Sequence, residues 1–170
     1  MTDLPAARAA DASSYSLALV CLGNICRSPM AHVVLEHELA AAGLSHRIRV
    51  DSSGTGDWHI GERMDARAAT ALTRHGYDPT RHRAQHFLGD RFGAYDAVLV
   101  MDDTNLHDVL RLAPTEPDRD RVLMFRAFDP LADGDLELPD PWYGGDGGFE
   151  TVLTIVERTT HELVRRLAAG

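Results

Sequence analysis

The stretch from Leu17 to Met30 constrains the fold more than any other part of the chain. An apolar run ends at Cys21, a short loop with Gly23 and Asn24 follows, and Arg27-Ser28-Pro29 leads into a helical pattern. This order predicts a buried strand, a tight loop and a helix with proline in its first turn. Because loop amides and helix N-termini attract anions, the stretch predicts an anion-binding pocket with a thiol at its start and a guanidinium at its end.

The residue types in this stretch suit a cysteine nucleophile that attacks a phosphate group. The thiolate is the attacking species, and a cysteine beside a helix N-terminus and an arginine ionises more readily than a free one. We therefore predict Cys21 as nucleophile, Ser28 as hydrogen-bond donor to its sulfur, and Arg27 as a fork that holds two phosphate oxygens. The alternative is a cysteine that closes a buried strand and an arginine at a helix end, neither of them functional.

The rest of the chain alternates between strand and helix patterns. Further strands are predicted at residues 47–50, 97–101 and 121–125, helices at 30–42, 65–75, 102–113 and 149–167, a loop at 51–57, and an ambiguous stretch at 85–93. This alternation predicts an α/β fold: a single domain with a four-stranded parallel sheet flanked by helices on both faces, and the phosphate-binding loop between strand 1 and helix 1. Ligands bind beyond the carboxyl ends of such strands, where Cys21, Ser52 and Asp102 are expected to converge.

Length, charge and composition limit the classes of protein and partner. The 170 residues suit one domain, and the net charge of −9 argues against a nucleic-acid partner. No apolar run approaches the roughly 20 residues of a membrane span. Residues 1–14 lack the apolar core of a secretory signal, so we expect a flexible tail there and a cytoplasmic location, with unconventional export left open. The sequence does not indicate an oligomeric state.

The segment Cys21-Leu-Gly-Asn-Ile-Cys-Arg27-Ser28 resembles the loop Cys-x5-Arg-Ser/Thr of the low-molecular-weight protein tyrosine phosphatases. The resemblance extends from about Leu17 to Glu162, and it implies that residues 15–170 form the phosphatase domain. It implies an enzyme that hydrolyses phosphotyrosine proteins and aryl phosphates through a cysteinyl-phosphate, without metal or cofactor. Cys21 would be the nucleophile and Arg27 the phosphate binder. The loop residues expected to contact substrate are Leu22, Gly23, Asn24, Ile25, Cys26 and Ser28.

A second chemical element lies in residues 128–148, a long segment rich in Pro, Gly and Asp. Asp140 is followed by Pro141, Trp142 and Tyr143, so an acid able to protonate a leaving oxygen stands beside two aromatic walls. From the residues alone, an Asp-Pro turn with two packed aromatic side chains is an equal alternative. The segment resembles the family's Asp-Pro-Tyr-Tyr-Gly, which implies Asp140 as general acid and Trp142 where tyrosine is usual.

The chain has another Asp-Pro pair, at Asp129-Pro130. We interpret it as structural because Leu131 and Ala132 follow it, with no aromatic residue to wall a slot.

The resemblance also implies residues that support or line the site. Asn24, Ser28, Ser52 and His82 would form the network that holds the phosphate loop open, and Asp102 would pair with Arg27 or only cap a helix. Trp58 would line the mouth opposite Trp142 and Tyr143. A surface histidine and a core tryptophan are the alternatives for His82 and Trp58.

Other functions remain to be weighed. The alternative enzyme is an arsenate reductase of the same fold, but its thioredoxin-coupled kind needs cysteines downstream, and none follows Cys26. A non-catalytic phosphate- or phosphoprotein-binding module would suit a chain without nucleophile or acid, and both are present here. Cys26 is either a small buried apolar residue or a redox partner that traps oxidised Cys21 as a disulfide.

Overall fold

Strand and helix alternate along the computed structural model of the chain, which describes residues 2–9 and 14–170. The elements are β1 (Tyr15–Cys21), α1 (Arg27–Ala41), β2 (Ile48–Gly54), α2 (Ala66–Arg74), β3 (Ala97–Val100), α3 (Asp103–Leu112), α4 (Glu116–Arg119), β4 (Val122–Met124) and α5 (Asp146–Ala169). Short 3₁₀ segments occur at Gly89–Ala94, Phe125–Phe128 and Pro141–Tyr143. None of the helices in these residues is long and apolar enough to cross a membrane.

The described strands form a four-stranded sheet in the order β2-β1-β3-β4, and every neighbouring pair is parallel. In the register of the sheet, Cys21 lies opposite Gly54, and Val20 lies opposite Val100. The carboxyl ends of β1, β2 and β3 therefore meet at one edge, and the strand order reverses between β1 and β3. The predicted α/β fold with a parallel sheet is confirmed.

Side chains of β1 alternate between the two faces of the sheet. Leu17 and Leu19 pack in a core that includes residues of α1, α2 and α5. Ala18 and Val20 pack on the opposite face, in a cluster that includes Val109 of α3. A parallel strand covered on both faces needs apolar residues at every position, which explains the uninterrupted apolar run before Cys21. The predicted helices on both faces are thus confirmed.

The strand β2 continues beyond the end that its sequence pattern predicts. Residues 51–57 read as a loop by composition, but β2 runs on to Gly54, with Ser52 and Ser53 buried and Ser52 opposite Leu19 in the register. Pairing with β1 on one side outweighs the low strand propensity of this segment, because strand propensity depends strongly on neighbouring strands.

The short helix α4 lies in a segment for which the sequence pattern predicts no element. Its start is nonetheless marked locally, because the side chain of Thr115 accepts the backbone N–H of Asp118 and Pro117 lies in the first turn. Helix α1 likewise begins at Arg27, one turn before the predicted start at residue 30, so that Pro29 lies in its first turn.

Residues 2–9 lie against the domain. The Arg8 guanidinium donates to the carbonyl oxygen of Tyr95 at 2.7 Å and to Asp118 Oδ1 at 2.5 Å. The Tyr15 hydroxyl donates to the carbonyl oxygen of Pro5 at 2.7 Å. The flexibility of residues 1–14 and the domain boundary at residue 15 stay predictions, and residues 1 and 10–13 lie outside the described residues.

Candidate active site

The loop between β1 and α1 curls beneath the start of α1. Asn24 in this loop has a φ of 57°, a left-handed conformation that asparagine tolerates better than most residues. Cys26 occupies the N-cap position of α1, where no side chain of the described residues caps the helix. The backbone N–H groups and the positive dipole end of α1 are therefore available to an anion at this loop.

The sulfur of Cys21 sits beside a serine hydroxyl. Cys21 Sγ lies 3.0 Å from Ser28 Oγ, and Asn24 Nδ2 donates to the same oxygen at 2.8 Å. Because the amide hydrogen occupies one lone pair of Ser28 Oγ, the hydroxyl hydrogen is left to point at the sulfur or at the more distant Ser53 carbonyl oxygen, 3.4 Å away. The geometry favours a hydrogen bond from Ser28 to Cys21.

Asn24 is the centre of a buried network. Its Nδ2 also donates to Ser52 Oγ at 3.1 Å, its Oδ1 accepts the Gln85 backbone N–H at 2.9 Å, and its carbonyl oxygen lies 2.7 Å from His82 Nε2. Burial lowers the pKa of His82 below its usual range, against the opposing effect of this bond, so a neutral ring can place its N–H on Asn24. The predicted network residues thus lie together.

Two members of this network were missed by the sequence prediction. His32 Nδ1 lies 3.1 Å from Ser52 Oγ, and Gln85 supplies the backbone N–H that fixes the orientation of the Asn24 amide. A backbone donor leaves no signal in a side-chain pattern. His32 is one of two histidines on α1, and it comes close to Ser52 because α1 packs beside β2.

The Arg27 guanidinium is buried and points at acidic partners. It donates to Asp102 Oδ2 at 2.5 Å, to the Leu138 carbonyl oxygen at 3.2 Å and to Asp140 Oδ2 at 3.3 Å. Burial alone would lower the pKa of Arg27, but Cys21, Asp102 and Asp140 together raise it above its ordinary value. The guanidinium is therefore charged at any pH the protein meets.

Each carboxylate that faces Arg27 also accepts a hydrogen bond from a backbone N–H group. Asp102 Oδ1 accepts the Asn105 N–H at 2.7 Å at the start of α3, so the ion pair and the helix cap occur together. Asp140 Oδ1 accepts the Trp142 N–H at 3.0 Å, which shapes the turn before the 3₁₀ segment. Backbone hydrogen bonds thus fix the direction of both carboxylates.

A pocket of about 200 Å³ opens at this loop. Its lining consists of Cys21, Leu22, Gly23, Ile25, Cys26, Arg27, Trp58, His59, Asp140, Trp142 and Tyr143. The aromatic side chains form the mouth, because Trp58 is 67%, Trp142 44% and Tyr143 85% exposed. The alternative of a core tryptophan at position 58 is therefore wrong.

His59 also lines the pocket and was absent from the sequence prediction. Its ring lies 6.4 Å from that of Trp142, and its Nδ1 lies 2.7 Å from Glu62 Oε2. The only sequence signal for this residue is its position next to Trp58.

Cys26 is a buried free thiol in the same pocket. Burial, and then the charges of Asp65, Cys21 and Asp140, raise the pKa of Cys26 well above the usual range of a thiol. Burial and these charges therefore favour the protonated thiol of Cys26. A redox role after oxidation of Cys21 stays a prediction.

Asp129 has a structural environment. It is buried and accepts hydrogen bonds from Arg158 at 2.7 Å and from Arg126 at 3.1 Å, and it does not line the pocket. The structural interpretation of Asp129-Pro130 is confirmed. Within residues 2–9 and 14–170, no cluster of His, Cys, Asp and Glu side chains is arranged to hold a metal ion.

A thiol, a guanidinium and a carboxylate at the switch point of a parallel sheet define a class, the cysteine-dependent phosphatases with an α/β fold. Comparison with known proteins narrows the class. Residues 16–170 match the model of the family described as low molecular weight phosphotyrosine protein phosphatase. The chain belongs to this family, as its sequence predicts. Membership of the family supports the predicted phosphatase over the alternative of an arsenate reductase.

Individual relatives agree with the family match. A low molecular weight protein-tyrosine-phosphatase of Streptomyces coelicolor is 45% identical over 152 residues, which cover 89% of this chain and 92% of the relative. Low molecular weight protein-tyrosine phosphatase A of Mycobacterium tuberculosis is 45% identical over 139 residues, 81% of this chain and 82% of the relative. A crystal structure of a protein tyrosine phosphatase from Entamoeba histolytica, with Hepes in the active site, has a TM-score of 0.86 at 31% identity and covers 92% of this chain and 99% of that one.

Proposed function

We propose that this protein-tyrosine phosphatase hydrolyses phosphotyrosine and other aryl phosphate monoesters through a cysteinyl-phosphate on Cys21. One observation carries the proposal: Cys21, Arg27 and Asp140 line a single pocket, and Ser28 Oγ lies 3.0 Å from the Cys21 sulfur. These groups supply a nucleophile, a fixed positive charge and a proton donor, which are the requirements of metal-independent cleavage of an aryl phosphate.

In the first step, the Cys21 thiolate attacks phosphorus in line with the leaving oxygen. The S–P bond forms, the P–O bond to the aryl group breaks, and Asp140 gives its proton to the departing phenolic oxygen. The Ser28 hydroxyl, 3.0 Å from the sulfur, can donate a hydrogen bond that stabilises the thiolate before attack.

In the second step, water hydrolyses the cysteinyl-phosphate. Asp140, now a carboxylate, takes a proton from the attacking water, the new P–O bond forms, and the S–P bond breaks to return the thiolate. Inorganic phosphate leaves, and Asp140 has regained the proton that it gave in the first step. No oxidant or reductant is needed for this cycle.

Arg27 and the loop amides are proposed to bind the phosphate throughout. The guanidinium points at Asp102 and Asp140, within reach of the Cys21 pocket, and its two terminal nitrogens match two phosphate oxygens. A bound phosphate would compete with Asp140 for Arg27, which frees the carboxyl of Asp140 to face the leaving oxygen. Asp102 would keep the guanidinium oriented during this exchange.

The mouth of the pocket suits a phenyl ring attached to a protein. Trp58, Trp142 and Tyr143 expose aromatic surface beside the loop, where they can stack on the ring of phosphotyrosine. Proteins containing phosphotyrosine are accordingly the proposed partners. Because the chain carries a net charge of −9, the local charge of Arg27 and the helix N-terminus must attract the phosphate.

A cytoplasmic location is part of the proposal. A cysteine nucleophile works only while its sulfur is reduced, and cytosolic thiols are kept reduced. Cell fractionation with an antibody to the chain tests this, and recovery in the culture medium without cell lysis would contradict it.

The first experiment separates the phosphatase from the arsenate reductase. Purified protein with a chelator present should hydrolyse 4-nitrophenyl phosphate, and Cys21→Ser should abolish turnover. Arsenate should cause no thiol oxidation. Arsenate-dependent oxidation of Cys21 without ester hydrolysis would favour the reductase instead.

The second experiment tests the proposed acid. Asp140→Asn should lower kcat/KM for phenyl phosphate by about 10²-fold or more, and that for 4-nitrophenyl phosphate much less, because the poorer leaving group needs the proton more. Asp133→Asn is the matched control, an aspartate of the same long segment outside the pocket. Equal losses for both esters, or no loss, would contradict the role of Asp140.

A further inference from the structure

Arg67 on α2 is held between a carboxylate and two aromatic rings. Its Nε and a terminal nitrogen donate to Asp65 Oδ1 at 3.1 Å and Oδ2 at 3.0 Å. Its guanidinium carbon lies 5.4 Å from the centre of the Trp142 ring and 4.7 Å from that of Phe149. The planar guanidinium therefore has a fixed orientation, set by a two-pronged ion pair.

Two of the neighbours of Arg67, Asp65 and Trp142, are hydrogen-bonded to different parts of the active site. The backbone N–H of Asp65 donates to the Ile25 carbonyl oxygen of the phosphate loop at 2.8 Å. The backbone N–H of Trp142 donates to Asp140 Oδ1 at 3.0 Å. A continuous set of contacts thus runs from the phosphate loop through Asp65, Arg67 and Trp142 to the carboxylate of Asp140.

The ion pair of Arg67 with Asp65 and its contact with the Trp142 ring are both favourable interactions. Burial would raise the pKa of Asp65, but the hydrogen bonds from Arg67 lower it below its usual range, so the pair is ionised. Tryptophan is the strongest aromatic partner for a guanidinium, and the 5.4 Å separation lies within the range of the interaction. The indole of Trp142 rests on a charged support that is tied to the phosphate loop.

We propose that Arg67 is a positioning residue, which holds Trp142 and thereby aims Asp140 at the leaving oxygen above Cys21. The inference rests on the proposed function, because orienting Asp140 affects the reaction only if Asp140 transfers a proton. Arg67 is not among the residues that line the pocket of Cys21, so it would act on the reaction through Trp142. It fixes the distance between the proton donor and the loop that holds the phosphate.

The proposal predicts a loss that depends on the leaving group. Without Arg67, Trp142 loses its support, and the turn that carries Asp140 relaxes. Proton transfer is sensitive to shifts of about 1 Å, so the step should slow most where the proton is most needed. A general loss of stability would slow good and poor leaving groups alike.

The experiment compares Arg67→Ala with Arg74→Ala in the full chain. Arg74 lies two helical turns further along α2, with a carboxylate oxygen of Glu150 at 3.9 Å. We expect Arg67→Ala to lower kcat/KM for phenyl phosphate by about tenfold and for 4-nitrophenyl phosphate by less than about threefold. Arg74→Ala should leave both values unchanged.

A second set of variants makes the result decisive. In the Asp140→Ala background, Arg67→Ala should change kcat/KM by less than about twofold for either ester, because no proton donor remains to be aimed. Arg67→Lys keeps the charge but not the planar fork, and it should show the same leaving-group dependence if Arg67→Ala does not fold.

Two outcomes would overturn the proposal: equal losses for both esters, or a full loss that persists in the Asp140→Ala background. Failure of the proposed function looks different, because Cys21→Ser would then retain ester hydrolysis or Asp140→Asn would show no leaving-group dependence.

Discussion

Replacing Asn24 by alanine should remove the support of the phosphate loop. The side chain is fully buried, and its amide bonds Ser28 Oγ at 2.8 Å, Ser52 Oγ at 3.1 Å and the Gln85 N–H at 2.9 Å. Alanine makes none of these bonds and leaves the Gln85 N–H without its acceptor. The hydrogen bond between His82 and the Asn24 carbonyl oxygen can persist, because it uses the backbone.

The cost follows from the bonds and from the backbone. A net value of about 1 kcal/mol for each lost bond gives roughly 3 kcal/mol for the amide. The φ of 57° adds about 1 kcal/mol for alanine, whose Cβ disfavours the left-handed region. A total of about 4 kcal/mol corresponds to a fall in Tm of roughly 10 °C for a domain of this size.

Calorimetry and urea unfolding measure this effect, with Asn24→Gly as the matched control. Glycine loses the same amide bonds without the left-handed strain of about 1 kcal/mol, but its larger unfolded-state entropy costs about 0.4–1 kcal/mol, so it should be between equal to the alanine variant and about 0.6 kcal/mol more stable. A Tm of Asn24→Ala within about 2 °C of that of the unmodified protein would refute the estimated loss of about 4 kcal/mol in the free energy of unfolding. A glycine variant that is less stable than the alanine variant by about 0.5 kcal/mol or more would refute the strain argument.

Two further predictions concern the loop and the core. In Gly54→Ala the new Cβ would lie 2.6 Å from the Leu22 carbonyl oxygen, so the phosphate loop must shift, and kcat/KM for 4-nitrophenyl phosphate should fall by at least about tenfold. Gly93→Ala, whose Cβ meets nothing within 4 Å, should keep the original rate, and equal rates for both variants would contradict the steric argument. Burial would raise the pKa of Asp129, but hydrogen bonds from its partners lower it, so its stabilisation is complete above an unfolded pKa of about 3.9 and is lost as pH falls through the lower folded value. The urea midpoints of the unmodified protein and Asp129→Asn should therefore differ by a constant amount above about pH 5 and converge below about pH 4, and a gap that widens on acidification would contradict this.

The strand-loop-helix unit around Cys21 could be predicted because its determinants are local. The apolar run, the loop and Pro29 stand in sequence order, and each restricts the backbone on its own. The parallel sheet followed from the alternation of strand and helix patterns, and the rule about carboxyl ends then placed Cys21, Ser52 and Asp102 at one edge. These inferences need no knowledge of side-chain contacts.

Other features depend on contacts between distant segments. The extension of β2 through Ser52 to Gly54 arises from pairing with β1, since serine and glycine have low strand propensity. Gln85 joins the network through a backbone N–H, and Arg67 reaches Trp142 across 75 positions of sequence. No periodicity within a window of a dozen residues can report such contacts.

The segment that carries Asp140 illustrates the difference between features set by local sequence and features set by contacts between distant segments. It has no periodicity, because its position does not depend on regular structure of its own. The Leu138 N–H donates to the Met101 carbonyl oxygen at 2.7 Å, just beyond the end of β3, and the Leu138 carbonyl oxygen accepts from Arg27 at 3.2 Å. The segment is therefore attached to the sheet edge where the strand order reverses, which is also the edge that holds Cys21. A pattern in the sequence can identify the aspartate, but only the sheet determines that it lines the same pocket as the thiol.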